Sequence, residues 1–189
     1  MGRIRPSPPV KLFVGILSSI GDLFTAAEES LAAIYGPVDL RSHCFAFDLT
    51  HYYNMEMGAP IERRFVSFEN LIRADRLSEI KIRTNELEET YRTGLHGVPR
   101  PLNLDPGYIE LSKVVLASTK NFYHRILLSQ GIYAEVTLRF ESGRWQPFPW
   151  TFPDFRSGRY DAFFNTLRAR YQEQLQSVGC QNAVVDFEI

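Results

Sequence analysis

Lys11-Leu-Phe-Val-Gly-Ile-Leu17 is followed by Ser18-Ser-Ile-Gly21 and then by Asp22-Leu-Phe-Thr-Ala-Ala27. This stretch decides the fold. After Lys11 no polar residue interrupts the first run, which suits a buried strand. Ser18 to Gly21 turns the chain, and Asp22 is a good N-cap. Leu23, Phe24, Ala27, Leu31, Ile34 and Tyr35 keep helical spacing, and Gly36-Pro37 ends the helix. The chain therefore opens β-α.

Downstream, His43 to Tyr53 reads as a strand, with Phe45, Phe47 and Leu49 alternating with smaller or polar residues. Gly58-Ala-Pro60 breaks it, and Ile61 to Phe68 returns as its hairpin partner. Residues 75–93 read as a helix, with Ile80, Thr84, Leu87 and Tyr91 on one face. Arg100 to Leu104 is a short extended piece. Asp105 before Pro106 is a cap followed by a first helical position, so residues 105–118 are predicted as a short helix, although Val114-Val-Leu116 favours a strand. Tyr123 to Leu128 and Ile132 to Phe140 form a hairpin across Ser129-Gln-Gly131. In it Ile132, Ala134, Val136 and Leu138 share one face, and Tyr133, Glu135, Thr137 and Arg139 share the other. Pro147 to Pro153 is an aromatic loop, 157–176 a last helix, and Ala183 to Phe187 an edge strand.

The expected architecture is a single α+β domain over residues 10–176, with a Pro-rich, poorly ordered arm at 1–9 and a tail at 177–189. Its core order, β-α-β-β-α-β, is the split βαβ plan of ferredoxin-like domains. A hairpin and a C-terminal helix extend it.

Composition narrows the function classes. A net charge of −1 argues against nucleic acid as the main partner, since phosphate binding needs a basic excess. Cys44 and Cys180 form no metal or redox spacing. Cys44 reads as a reduced core residue. No His-x-x-x-His or Cys-x-x-Cys points to a metal. The N-terminal residues have no apolar signal core and no run reaches the length of a membrane span, so a cytoplasmic protein without a membrane partner is expected. Aromatic residues make up 13%, which suits a large aromatic core better than stacking platforms for bases.

Polar and ionisable residues interleave with apolar runs between Asn103 and Asp154. Burying such groups without partners costs roughly 1–3 kcal/mol each, so they are networked or they surround a ligand. Lys120 and Arg125, with Ser118 as donor, suit a phosphate or carboxylate. Lys81 and Asn85 share a helix face with Glu88. His51, His124 and Glu135 are the candidate acid or base groups. Tyr52, Tyr53, Tyr133 and Trp150 are candidate pocket walls.

Several of these segments resemble a known family. Phe47-Asp-Leu-Thr-His-Tyr-Tyr53, Glu56-Met-Gly58, Lys81 with Thr84-Asn85, Asn103-Leu-Asp-Pro-Gly-Tyr-Ile109, Leu116-Ala-Ser-Thr-Lys-Asn121, His124-Arg-Ile126, Gly131 to Leu138 and Pro149-Trp-Thr-Phe-Pro-Asp154 are similar to the bacterial domain-of-unknown-function family 4416 (DUF4416). The resemblance runs from Lys11 to about residue 175. It implies a prokaryotic intracellular protein and supplies no mechanism. Members are sometimes labelled GTP-binding, but this chain has no Gly-x-x-x-x-Gly-Lys-Ser/Thr phosphate loop.

Two classes of function follow. The first is a site for a small anionic ligand, a nucleotide or phosphorylated metabolite, of binding or enzymatic type. The second is a non-catalytic interaction or structural module, in which the polar groups pair with one another and Trp150 with Phe152 faces a partner. Convergence of Lys81, Lys120, Arg125 and Glu135 on one open cleft separates them.

Overall fold

The apolar run forms strand β1 (Val10–Ser18), buried along its whole length. A computed structural model of the chain describes residues 2–3, 6–50, 52–92 and 97–179. Successive β1 side chains enter different cores, as the period of a strand requires. Leu12, Val14 and Ile16 meet Phe24, Ala27 and Leu31 of helix α1 (Asp22–Tyr35). Phe13 points the other way, into a second core.

The chain continues through β2 (Val38–Arg41), β3 (Phe45–Ala46), the short α2 (Asn54–Met57) and β4 (Glu62–Ile72). Helix α3 (Leu77–Arg92) follows, then β5 (Asn103–Ile109), β6 (Lys113–Ser118), β7 (Ile126–Ser129), β8 (Ile132–Glu141) and β9 (Arg144–Pro147). Short α4 (Pro153–Arg156) leads into α5 (Asp161–Gly179). All strand pairings are antiparallel, in the order β2-β4-β1-β5-β6-β8-β7, with β3 beside β4 and β9 beside β8. The single α+β architecture expected from the sequence is therefore the one observed. β4 lies between β1 and β2, and β1 between β4 and β5, which is the interleaving of a split βαβ core.

Helices α1 and α3 cover one face of this sheet. Helix α5 covers the other with Phe163, Phe164, Leu167 and Tyr171. The aromatic richness is spent largely there. The Phe65 ring lies within 6.1 Å, centroid to centroid, of Phe13, Phe155, Tyr160, Phe163 and Phe164. Gly107 of β5 makes this packing possible. A Cβ there would stand 2.5 Å from the Val115 carbonyl oxygen and 2.7 Å from Phe13 Cζ.

Five expectations need correction. Residues 105–118 are two strands, not a helix. A cap contributes about 1 kcal/mol, whereas β5 pairs with β1 over its whole length. The expected strand at 43–53 is reduced to β3, and β2 lies upstream of it. Gly21, not Asp22, holds the cap position of α1, without a side-chain cap bond. Leu138 leaves the face of Ile132, Ala134 and Val136, because a bulge separates the pair Val114–Leu138 from Val115–Val136. One extra residue in a strand reverses every later side chain, so Leu138 joins the α5 core. The last helix begins at Asp161, after α4, rather than at 157. The expected strand at 183–187 and Cys180 lie outside the described residues. Cys44 is half-buried against the α1 core. Among the described residues no helix is long and apolar enough to cross a membrane.

Candidate functional site

Strands β5 and β6 pair at only three positions, Gly107–Leu116, Tyr108–Val115 and Ile109–Val114. Beyond them the sheet parts. Backbone groups freed in this way must find other partners. The Leu104 N–H donates to Glu88 Oε1 at 2.8 Å, and Lys81 Nζ donates to the Leu104 carbonyl at 2.6 Å. Two side chains of α3 thus stand in for the missing strand. Two residues further along the same edge comes Pro106, which has no N–H to offer a ladder.

The parting opens a cleft of about 870 Å³, a volume suited to a small molecule. Lys81, Asn85 and Glu88 line it from α3, Asn103 and Asp105 from β5, and Arg63 from β4. Ser118, Lys120, Arg125 and Glu135 line the opposite wall.

Arg63 anchors the floor. It is buried, with Nη2 3.4 Å from Asp105 and Nε 3.3 Å from Asp154. Burial works against its charge, but Asp154 and Asp105 more than offset that, and its pKa is raised. Asp154 also accepts from the Tyr160 hydroxyl at 3.1 Å. Arg100 closes one side by donating to Glu88 at 3.0 Å and to Asn103 Oδ1. The Asn103 Nδ2 donor is buried and has no partner among the described residues. Burial pushes the Tyr53 hydroxyl up to about 12, so it stays a neutral donor.

The opposite wall is built on Glu135. Its Oε2 accepts from Arg125 Nε at 2.8 Å and from His124 Nε2 at 3.2 Å, and its Oε1 accepts from Thr137 at 3.0 Å. Three donors occupy this carboxylate, so its local work is to fix Arg125. Arg125 Nη1 in turn donates to the Lys120 carbonyl at 2.8 Å, and the Lys120 N–H donates to Ser118 Oγ at 3.1 Å. This chain of contacts sets the loop that presents Lys120. Lys120 Nζ lies 3.1 Å from the Tyr52 hydroxyl and 4.6 Å from the centre of that ring.

Each carboxylate lining the cleft has a cationic partner. Glu56 and Glu88 pair with Arg100, Glu89 with Arg92, Asp105 and Asp154 with Arg63, and Glu135 with Arg125. Among the cations lining it, Lys120 alone has no carboxylate within ion-pair distance among the described residues.

Of the residues singled out from the sequence, Lys81, Asn85, Ser118, Lys120, Arg125 and Glu135 meet at this cleft, as do Tyr52 and Tyr53. His124, Tyr133 and Trp150 stand outside its lining. His124 sits behind Glu135, stacked on Trp150 with centroids 5.2 Å apart. Trp150 also stacks on Phe148 at 4.9 Å and donates to the Val136 carbonyl. Its ring thus has packing partners within the fold, and the neighbouring Phe152 stays exposed. Tyr133 is on β8, opposite Ser118 and Leu127. His51 lies outside the described residues. Arg63, Arg100, Asn103 and Asp105 were not among the candidate site residues. For Arg63 a signal existed, because strand alternation groups it with Phe65 and Ser67 on an inward face. Among the described residues no group of three or more His, Cys, Asp or Glu is arranged to hold a metal ion.

The family model described as domain of unknown function (DUF4416) matches residues 8–171, so the chain belongs to that family. No curated protein and no solved structure matches it.

Proposed function

We propose that this DUF4416 member binds a small phosphate- or carboxylate-bearing metabolite in the cleft between β5 and β6. The observation that carries the reading is the pairing pattern of the lining. Every carboxylate there has a cationic partner, whereas Lys120, at an open wall, has no carboxylate within ion-pair distance among the described residues. An anion gives Lys120 a partner without displacing an existing pair. Arg125 Nη2, which has no protein partner among the described residues, is a second donor on the same loop. The reading includes a bacterial origin and a cytoplasmic location, where phosphorylated metabolites are plentiful.

A melting-temperature screen over phosphorylated sugars, nucleotides, carboxylates and inorganic phosphate tests it. At least one anion should raise the melting temperature of the wild-type chain, and Lys120→Ala should abolish that rise. A rise that Lys120→Ala leaves intact, or no rise with any anion, contradicts the proposal.

A further inference from the structure

Five aromatic rings line the cleft: Phe47, Tyr52, Tyr53, Phe152 and Phe155. Every one already carries a cation. Arg63 lies 5.0 Å from the Phe47 centroid and 5.4 Å from that of Phe155. Lys120 lies over Tyr52 at 4.6 Å, Arg100 over Tyr53 at 5.5 Å and Arg125 over Phe152 at 5.8 Å. These rings steady the charged side chains. A nucleobase binds by laying its plane on a free aromatic face, and here a guanidinium or an ammonium already stands at one face of each ring.

The polar groups of the floor ask for something else. Asn103 Nδ2 is a buried donor without a partner among the described residues. Lys81 Nζ makes one hydrogen bond, to Leu104, while Glu88 and Asp105 stand off at 3.9 and 4.0 Å. The Asp105 side chain keeps 26% of its surface open and can accept. Asn85 adds an amide that both donates and accepts. Donors and acceptors therefore line the same cleft. A hydroxyl is the group that answers both, since it donates one proton and accepts through two lone pairs.

We infer that the cleft takes an anionic polyol: a non-aromatic, hydroxylated metabolite carrying one phosphate or carboxylate. Its anion meets Lys120 and Arg125, and its hydroxyls meet Asn103, Lys81 and Asp105. This rests on the anion-binding reading above and narrows it by setting nucleotides aside.

Calorimetric titration of the full chain tests the inference, using glucose 6-phosphate, gluconate, inorganic phosphate, ATP and GTP. Glucose 6-phosphate or gluconate should bind at least about tenfold more tightly than inorganic phosphate, ATP or GTP, a margin equal to one good hydrogen bond. Which of the two wins identifies the anion as phosphate or carboxylate. Asn103→Asp keeps the acceptor for Arg100 and removes the free donor. The added carboxylate disfavours any anion, so the test is the difference: the polyol anion should weaken by about tenfold more than inorganic phosphate does. Asn85→Ala, on the more open side, should act in the same direction and covers the case in which Asn103→Asp does not fold. Tighter binding of ATP or GTP, lost in Lys120→Ala, overturns the polyol inference and leaves the anion reading standing. Polyol anions that bind no better than phosphate also overturn it. Absence of binding by every anion overturns both.

Discussion

Two lysines are buried against the same sheet, and their surroundings differ in one respect. Lys11 of β1 is fully enclosed. Its Nζ donates to Asp39 at 2.6 Å and to the Phe68 carbonyl at 2.7 Å. The second oxygen of Asp39 accepts from Ser67 at 2.6 Å, and Arg170 approaches at 3.5 Å. Both oxygens of Asp39 are engaged, and neither Lys11 nor Asp39 lines the cleft. Lys81 of α3 has one close acceptor, and its two carboxylates stand beyond hydrogen-bond reach in a cleft. The first arrangement is a closed structural pair. The second has spare donors and acceptors beside open volume. Burial of a charge therefore does not identify a site; incomplete pairing next to a cavity does.

The comparison predicts unequal costs of removal. Lys11→Met leaves Asp39 buried with its main cation gone, and should cost roughly 3–5 kcal/mol in a denaturant titration. Lys81→Met should cost less, about 1–2 kcal/mol, mainly for the lost partner of the Leu104 carbonyl, since Arg63 and Arg100 still hold Asp105 and Glu88. Equal costs would break the contrast between a sealed and an open cluster.

The two clusters also differ in pH dependence. Burial alone would raise the Asp39 carboxyl, but hydrogen bonds from Lys11 and Ser67 bring it below the ordinary carboxylate value. Its stabilisation is full above the unfolded pKa and is lost as pH falls through the lowered folded value. Burial raises the Glu88 carboxyl further than Lys81, the Leu104 N–H and Arg100 lower it. Its contribution is full below the unfolded pKa and is lost as pH rises through the raised folded value. Asp39→Asn should therefore flatten the acid limb of stability. Glu88→Gln should gain on wild type as pH rises from the acid range toward neutrality. Urea midpoints at a series of pH values check both, and parallel curves for the two variants would remove the distinction.

The smallest effect is expected at the residue with most to do with a ligand. Lys120 is exposed and held by the Tyr52 ring and hydroxyl. Lys120→Ala should move the ligand-free melting temperature by less than about 3 °C. A larger drop would make Lys120 a structural residue.

How much of this was legible depended on whether the deciding contact was local. The uninterrupted run through Leu17 marked β1, and the spacing of Leu23 to Tyr35 marked α1, because each pattern lies within its own element. Asp105-Pro106 was misread for the same reason. Locally it is a helix start, and only the long edge of β1 makes it strand. The cleft itself depends on where β5 leaves β6, and no pattern inside either strand encodes that event. Lys120 and Arg125 were legible as a cationic pair on one loop. Asn103 was not, because its free amide is defined by Arg100 taking its other end.

A crystal structure of the chain soaked with glucose 6-phosphate and with gluconate tests the central claim most directly. Density for one of them should appear between β5 and β6, with the phosphate or carboxylate against Lys120 and Arg125 and the hydroxyls within hydrogen-bond reach of Asn103 and Asp105. An anion bound elsewhere while this cleft stays filled by solvent alone would contradict the account.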